Sequence, residues 1–223
     1  MWRRLFPEGA ALQSRLLVVL LPLVMAPLLI VGWIAGEQVR HTATTHAFGA
    51  VRQLLHDTRE ELRVRFATAS ANVELFAGSP LLKEYLTTPD EETRYGILQL
   101  PLLNLFASYT RAYPDYYELR VLLPDGTEEV RFAAGGLANQ DKQEGRSSWF
   151  QHFQVHPGGP FLELIRNPDN GELAFLAARK VFARSASQDP TEPESWRGGV
   201  AITWRPGFLI DKIHATRIGE RGF

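Results

Sequence analysis

With 223 residues, 45% apolar and 22% charged, the chain has room for one domain with a true core beside any membrane segment. Its formal net charge of −1 supplies no basic field to attract nucleic acid, so no nucleic-acid partner is expected. The absence of cysteine excludes disulfides, thiolate metal sites and thiol nucleophiles.

Residues 16–36 (LLVVLLPLVMAPLLIVGWIAG) carry no charge. At ~1.5 Å per helical residue they span ~30 Å, the hydrocarbon thickness of a bilayer. The apolar core of a cleaved signal peptide is shorter, about 7–15 residues. Trp33 and Ile34 also crowd Ala35, the best-placed small residue for cleavage. The run therefore reads as an uncleaved transmembrane signal anchor. Arg3, Arg4 and Arg15 precede it against Glu8 alone. By the positive-inside rule, residues 1–15 form a cytoplasmic tail and the chain from 37 onward is exported.

A long helix is predicted over 42–78, with Phe48, Val51, Leu55, Leu62, Phe66, Ala69, Val73 and Phe76 on one stripe. Leu55, Leu62, Ala69 and Phe76 recur every seven residues, which suits either a parallel partner helix in a homodimer or packing on the chain's own domain. Ser79-Pro80 starts a short helix through Leu86, and Thr88-Pro89-Asp90 a second one to about Ala112. The period then changes to two. Strands are predicted at 117–123 and 128–132 around Pro124-Asp125-Gly126-Thr127, and at 161–166 and 172–182 around Asn170-Gly171. Residues 135–148 and 183–197 read as polar loops, 199–204 as a fifth strand and 206–213 as a short helix. The sum is an α+β domain over 37–216, with its sheet between 115 and 205. Residues 217–223 end without a finished element and read as the start of a missing subdomain.

Several of these segments resemble one family. The anchor, the long helix, YPDYYELRVLLPDGTEEVRF (113–132), Arg146-Ser147-Ser148-Trp149-Phe150, the Asn170-Gly171 hairpin and IGERGF (218–223) look like double Cache (dCache) sensor domains. These are the extracytoplasmic input regions of bacterial chemoreceptors, sensor histidine kinases and diguanylate cyclases. The resemblance implies a PAS-like, membrane-distal, five-stranded antiparallel sheet that holds a ligand. It also implies a bacterial inner-membrane protein, single-pass in this chain, with a periplasmic domain and an output domain elsewhere, as in two-component systems. Amino-acid-binding members share an Arg-x-Trp-Tyr run that clamps the ligand carboxylate. Here Ser147 stands at the arginine, Arg146 is one place early, and Phe150 lacks the tyrosine hydroxyl.

Arg120 and Arg131 fall opposite one another if Asp125-Gly126 closes a two-residue turn. Two facing cations need an anion, either a bound carboxylate or phosphate, or Glu118 and Glu129 in a solvent-side lattice. Tyr117, Leu119, Val121, Leu123, Val130 and Phe132 are expected on the opposite, core face. Trp149 and Phe150 offer either a pocket wall or a core plug, and Arg179 with Lys180 adds cationic character. The candidate ligand-binding set is thus Arg120, Arg131, Arg146, Trp149, Phe150 and Arg179. His152 and His156 have helical metal-pair spacing but no evident third ligand. No catalytic or phosphate-loop motif is present, and neither catalysis nor a cofactor is expected. A membrane-anchored sensor of a small ligand, anionic if the arginine face lines the pocket, is the leading expectation. An adaptor ectodomain that binds a protein partner is the alternative.

Overall fold

The computed structural model describes residues 12–139, 142–185 and 191–215, with backbone alone at 12–19, 22, 35–47, 50, 210 and 213–215. The expectations for 1–11, 186–190 and 217–223 lie outside the described residues. Contacts divide the chain into two units, one comprising Met1–Asp57 with Arg217–Phe223 and the other Thr58–Thr216.

The first helix, α1, is assigned over Leu12–Gly78 without a break at the expected boundary near residue 42. Among the described residues no helix is long and apolar enough to cross a membrane. Within the expected anchor, side chains are described only at 20–21 and 23–34, a run shorter than a span. Every one of those side chains is exposed, with Leu29 at 67% and Trp33 at 78%.

In the second unit α1 packs on a sheet. Ala69, Val73 and Phe76 are buried and Leu62 and Phe66 partly so, whereas Leu55, in the first unit, is 64% exposed. The seven-residue stripe therefore divides: its later members belong to the domain's own core. The helices α2 (Pro80–Thr87), α3 (Glu91–Thr93) and α4 (Gln99–Ala112) follow. Between the last two, Arg94–Leu98 is a π turn closed by the Gln99 N–H donating to the Arg94 carbonyl. Pro101 accounts for it, because its ring would clash with the Ile97 carbonyl in a regular helix and it has no N–H to donate.

Five strands complete the unit: β1 (Tyr116–Leu122), β2 (Glu128–Ala133), β3 (Phe161–Arg166), β4 (Leu173–Ala183) and β5 (Ser195–Trp204). All neighbours are antiparallel in the order β2-β1-β5-β4-β3, so the last strand lies between two hairpins. β5 begins earlier than its apolar run suggests, because Trp196 pairs with Phe182 and packs near Phe153. The helix α6 (Gly207–Ala215) follows it. One sheet face carries Leu119, Val121, Val200, Ile202 and Trp204 against α1, α2 and α4. The other carries Tyr117, Leu122, Leu176 and Ala201 beneath α5 (Ser148–Val155), a helix absent from the sequence reading. Both faces are covered at β1, so the expected solvent side does not exist there, whereas at the β3 edge Leu162 and Leu164 stay 41% and 54% exposed. Glu118 and Arg120 are 0% and 1% exposed.

Phe76→Ala should therefore destabilise the domain by about 3–5 kcal/mol, while the neighbouring Leu75→Ala, 63% exposed, should cost less than about 0.5 kcal/mol. Denaturant unfolding of both variants measures this; equal losses would contradict the packing of α1 on the sheet.

Candidate functional site

Two irregularities decide which side chains meet beneath α5. The register of β1 against β5 shifts between Tyr116 and Glu118, placing Tyr116 in the α1-side core and Tyr117 in the α5-side core. Against β2 it shifts between Val121 and Leu122: Val121 opposes Val130, Leu122 opposes Glu128, and Glu129 is the extra residue. Two expectations are thereby corrected. Tyr117 does not share a face with Leu119, and Glu129 does not compensate Arg131. Glu129 instead accepts from the Tyr95 hydroxyl at 2.9 Å and lies 3.3 Å from the Arg94 guanidinium.

Arg120 and Arg131 are directly opposed, as the turn spacing implied. Arg120 donates through Nη1 to the Glu144 carboxylate, lies 3.7 Å from Glu118 and 4.0 Å from Glu128, and stands 5.4 Å over the Trp149 ring. The Trp149 indole N–H donates to the second Glu144 oxygen at 3.0 Å. Arg131 donates to Glu118 at 2.7 Å, to Asp169 at 2.8 Å and to the Leu137 carbonyl at 2.8 Å. Asn167 donates to Glu118 at 3.1 Å and to the Tyr117 hydroxyl at 2.8 Å. Two guanidiniums thus face four carboxylates, with Glu118 between the cations.

The Glu144 loop is held by backbone contact. The Glu144 N–H donates to the Gly126 carbonyl at 2.8 Å and the Glu128 N–H to the Lys142 carbonyl at 2.8 Å. Gly126 has φ +86°, and a Cβ there would collide with the Gly145 backbone. Only paired glycines let the hairpin turn and the loop approach so closely.

Burial pulls the Arg120 pKa down, but Glu118, Glu144 and Glu128 outweigh it and leave the pKa raised. Burial pushes Glu128 up to about 7 against the opposing pull of Arg120 and Arg131. Three buried groups here also keep polar atoms without a hydrogen-bond partner: Arg120 Nε and Nη2, Glu128 Oε2 and Thr203 Oγ1. Thr203 is paired with Glu118 across β1–β5. Each such atom costs about 1–3 kcal/mol unless something binds it.

The other candidates are placed elsewhere. Phe150 is buried edge-on to Trp149, with ring centroids 5.7 Å apart. Arg146 is exposed on a short 3-10 turn, and Ser147 caps α5 by accepting from the Phe150 N–H at 3.3 Å. Arg179 points to the α1 side, 2.8 Å from Glu74. Lys180 donates to the Gln154 and His156 carbonyls at 2.8 and 2.9 Å. His152 lies 3.3 Å from Glu163, His156 packs on Phe161, and among the described residues no group of three or more acidic or histidine side chains is placed to hold a metal. The sequence reading missed Glu128, Glu144, Asn167, Asp169 and Thr203. Asn167 and Asp169 were legible only as turn residues, and Glu144 sat in an unpatterned loop.

Glu128 should make stability depend on pH. Its pKa is raised in the folded state, so its contribution is complete below about pH 4.5 and is lost as pH rises through about 7. Glu128→Gln should flatten the fall in unfolding free energy between about pH 4.5 and 7.5, as measured by denaturant melts. Parallel wild-type and variant profiles would contradict the assignment.

No protein-family model and no curated protein sequence matches this chain. Solved structures do. The extracellular domain of a histidine kinase designated vpHK1S-Z8 aligns at a TM-score of 0.53 and 19% identity, covering 75% of this chain and 60% of that one. The sensor domain of the V. cholerae histidine kinase DctB gives 0.53 and 11%, covering 78% and 60%. The ligand-binding domain of the Campylobacter jejuni chemoreceptor Tlp3, in complex with L-valine, gives 0.53 and 12%, covering 74% and 62%. The chain spans about three fifths of each of these structures. Its fold is that of the sensor domains of bacterial histidine kinases and chemoreceptors, the double Cache type that the sequence resembles.

Proposed function

We propose that this chain is the periplasmic input module of a bacterial membrane sensor, and that its ligand is a small zwitterion seated on the Arg120 face of the sheet. The observation that carries the ligand class is the set of unpartnered atoms there. Arg120 Nε and Nη2, which make no hydrogen bond, call for a carboxylate, while Glu128 Oε2 and Thr203 Oγ1, likewise without one, suit an ammonium donor. A simple anion suits the face less well, because Glu118, Glu144 and Asp169 already outnumber two guanidiniums even where Glu128, raised to about 7, is protonated. Arg120 over Trp149 supplies, from β1, the cation that the sequence lacks at Ser147. Tlp3, of similar fold, carries L-valine.

The rest of the reading concerns anchorage. Residues 16–36 serve as a single transmembrane helix in the inner membrane, with Arg3, Arg4 and Arg15 inside. The exposed apolar side chains at 20–21 and 23–34 support this, since so long an apolar surface is unfavourable in water. Pairing of two copies would use Phe48 and Leu55, which are 72% and 64% exposed, because Ala69 and Phe76 are spent on the core. The ligand biases α1, and α1 passes that bias to an output domain.

Two experiments test these statements. Calorimetry of the full chain in nanodiscs should show binding of small aliphatic α-amino acids in preference to dicarboxylates and monoamines. Arg120→Met should weaken that binding at least tenfold, as expected for a lost charge-assisted pair. Binding of dicarboxylates alone would reject the zwitterion, and the absence of small-ligand binding would reject the sensor. A single cysteine at Arg52→Cys, clean because the chain has none of its own, should react with a membrane-impermeant thiol reagent from the periplasm and crosslink to itself. Labelling only after lysis would reverse the topology, and labelled but monomeric protein would remove the dimer.

A further inference from the structure

On the α1 side of the sheet, away from Arg120, a cleft of about 240 Å³ opens where α1, the α4–β1 turn and the end of β5 meet. Val64 and Arg65 of α1 line one wall, and Tyr113, Asp115, Tyr116 and Trp204 the others. Tyr113 stacks on Tyr116 with centroids 4.9 Å apart and planes 24° from parallel, and Tyr116 lies 6.1 Å from Trp204. The floor is thus aromatic: Tyr116 and Trp204 lie beneath it, 5% and 2% exposed, and Tyr113 is the more open ring. Val64 and Tyr113 are left 58% and 36% exposed.

Among the lining residues stands one ion pair, Arg65 with Asp115, whose side chains are 32% and 49% exposed. Arg65 is held from behind by Glu61 at 3.0 Å and stacks over Phe208 at 4.1 Å. Its fork is therefore fixed, while the Asp115 carboxylate occupying one prong is open to solvent. A half-exposed pair of this kind contributes little, and another carboxylate can replace Asp115 at small cost.

We propose that this cleft is a second ligand site, for a planar aromatic monocarboxylate. The ring lies among Tyr113, Tyr116 and Trp204, and the carboxylate displaces Asp115 from Arg65. The volume suits one ring: larger, drug-sized ligands occupy about 300–1,000 Å³. The site joins α1 to the end of β5, immediately before the Arg205-Pro206 link to α6.

The probe is 4-fluorobenzoate, followed by ¹⁹F line broadening with the full chain in nanodiscs, with 4-fluorobenzyl alcohol as the neutral control for partition into lipid. The acid should broaden in a saturable manner and the alcohol should not. Asp115→Asn, which removes the internal competitor, should tighten binding severalfold, and Arg65→Met should weaken it at least tenfold. Misfolding or lipid partition would move both variants the same way, so opposite signs are diagnostic. No saturable broadening, equal binding of the alcohol, or same-sign changes would overturn the proposal. The site does not involve Arg120, so its failure leaves the zwitterion reading standing.

Discussion

A guanidinium with 1% exposure, Arg120, is the group on which the rest of the domain depends. Taking such a cation out of water costs several kcal/mol, which only close carboxylates and hydrogen bonds can offset. Glu144 must therefore be delivered to it, and the delivery explains otherwise arbitrary features. These include the glycine contact between the hairpin turn and the loop, the Trp149 indole bonded to Glu144, and the Ser147 cap that starts α5. Glu118 ties the same cation to Arg131, and Arg131 in turn reaches Asp169 in the β3–β4 turn. The Glu144 loop, β2 and the β3–β4 turn are thus linked to β1 by one charged network as well as by backbone pairing and apolar packing.

The two sheet faces consequently differ in kind. On the α1 side, Phe76, Phe106, Tyr116, Trp204 and aliphatic neighbours form an apolar layer whose energy comes from burial. On the α5 side, an apolar half around Phe150, Phe153 and Phe161 adjoins a charged half around Arg120. Removing one member of the charged half exposes the desolvation cost of the others, so it is less tolerant of substitution than its size suggests. A site of this kind can respond to a small ligand because added charge or hydrogen bonds change a balance that is already incomplete.

Much of this was legible in the sequence, and the failures have identifiable causes. Alternation gave the five strands, and the turn spacing gave the Arg120–Arg131 pairing. Each bulge then inverted the alternation locally, moving Tyr117 and Glu129 to the faces opposite those expected. Polar residues on alternate positions suggested a solvent side, but α5 covers it, turning Trp149, Phe150 and Phe153 inward and leaving Val155 exposed. Arg179 and Lys180 lie on opposite faces of β4, and each is partnered. Glu144 could not be read, because a loop residue's position depends on contacts distant in sequence.

The strand order also bears on how the chain is made. Among the described strands β5 is the last synthesised, yet it lies in the middle of the sheet and bonds to both β1 and β4. Until residues 195–204 emerge, the two hairpins have no strand to join them, and the inner edges of β1 and β4 remain open to any other extended chain. The pairings that close them, Leu119 with Ile202 and Ala177 with Ile202, span very different sequence separations, and the longer one sets a slow, high-contact-order step. A nascent or truncated chain ending before Ser195 therefore carries two unsatisfied sheet edges, and aggregation rather than partial activity is the expected fate of such a fragment.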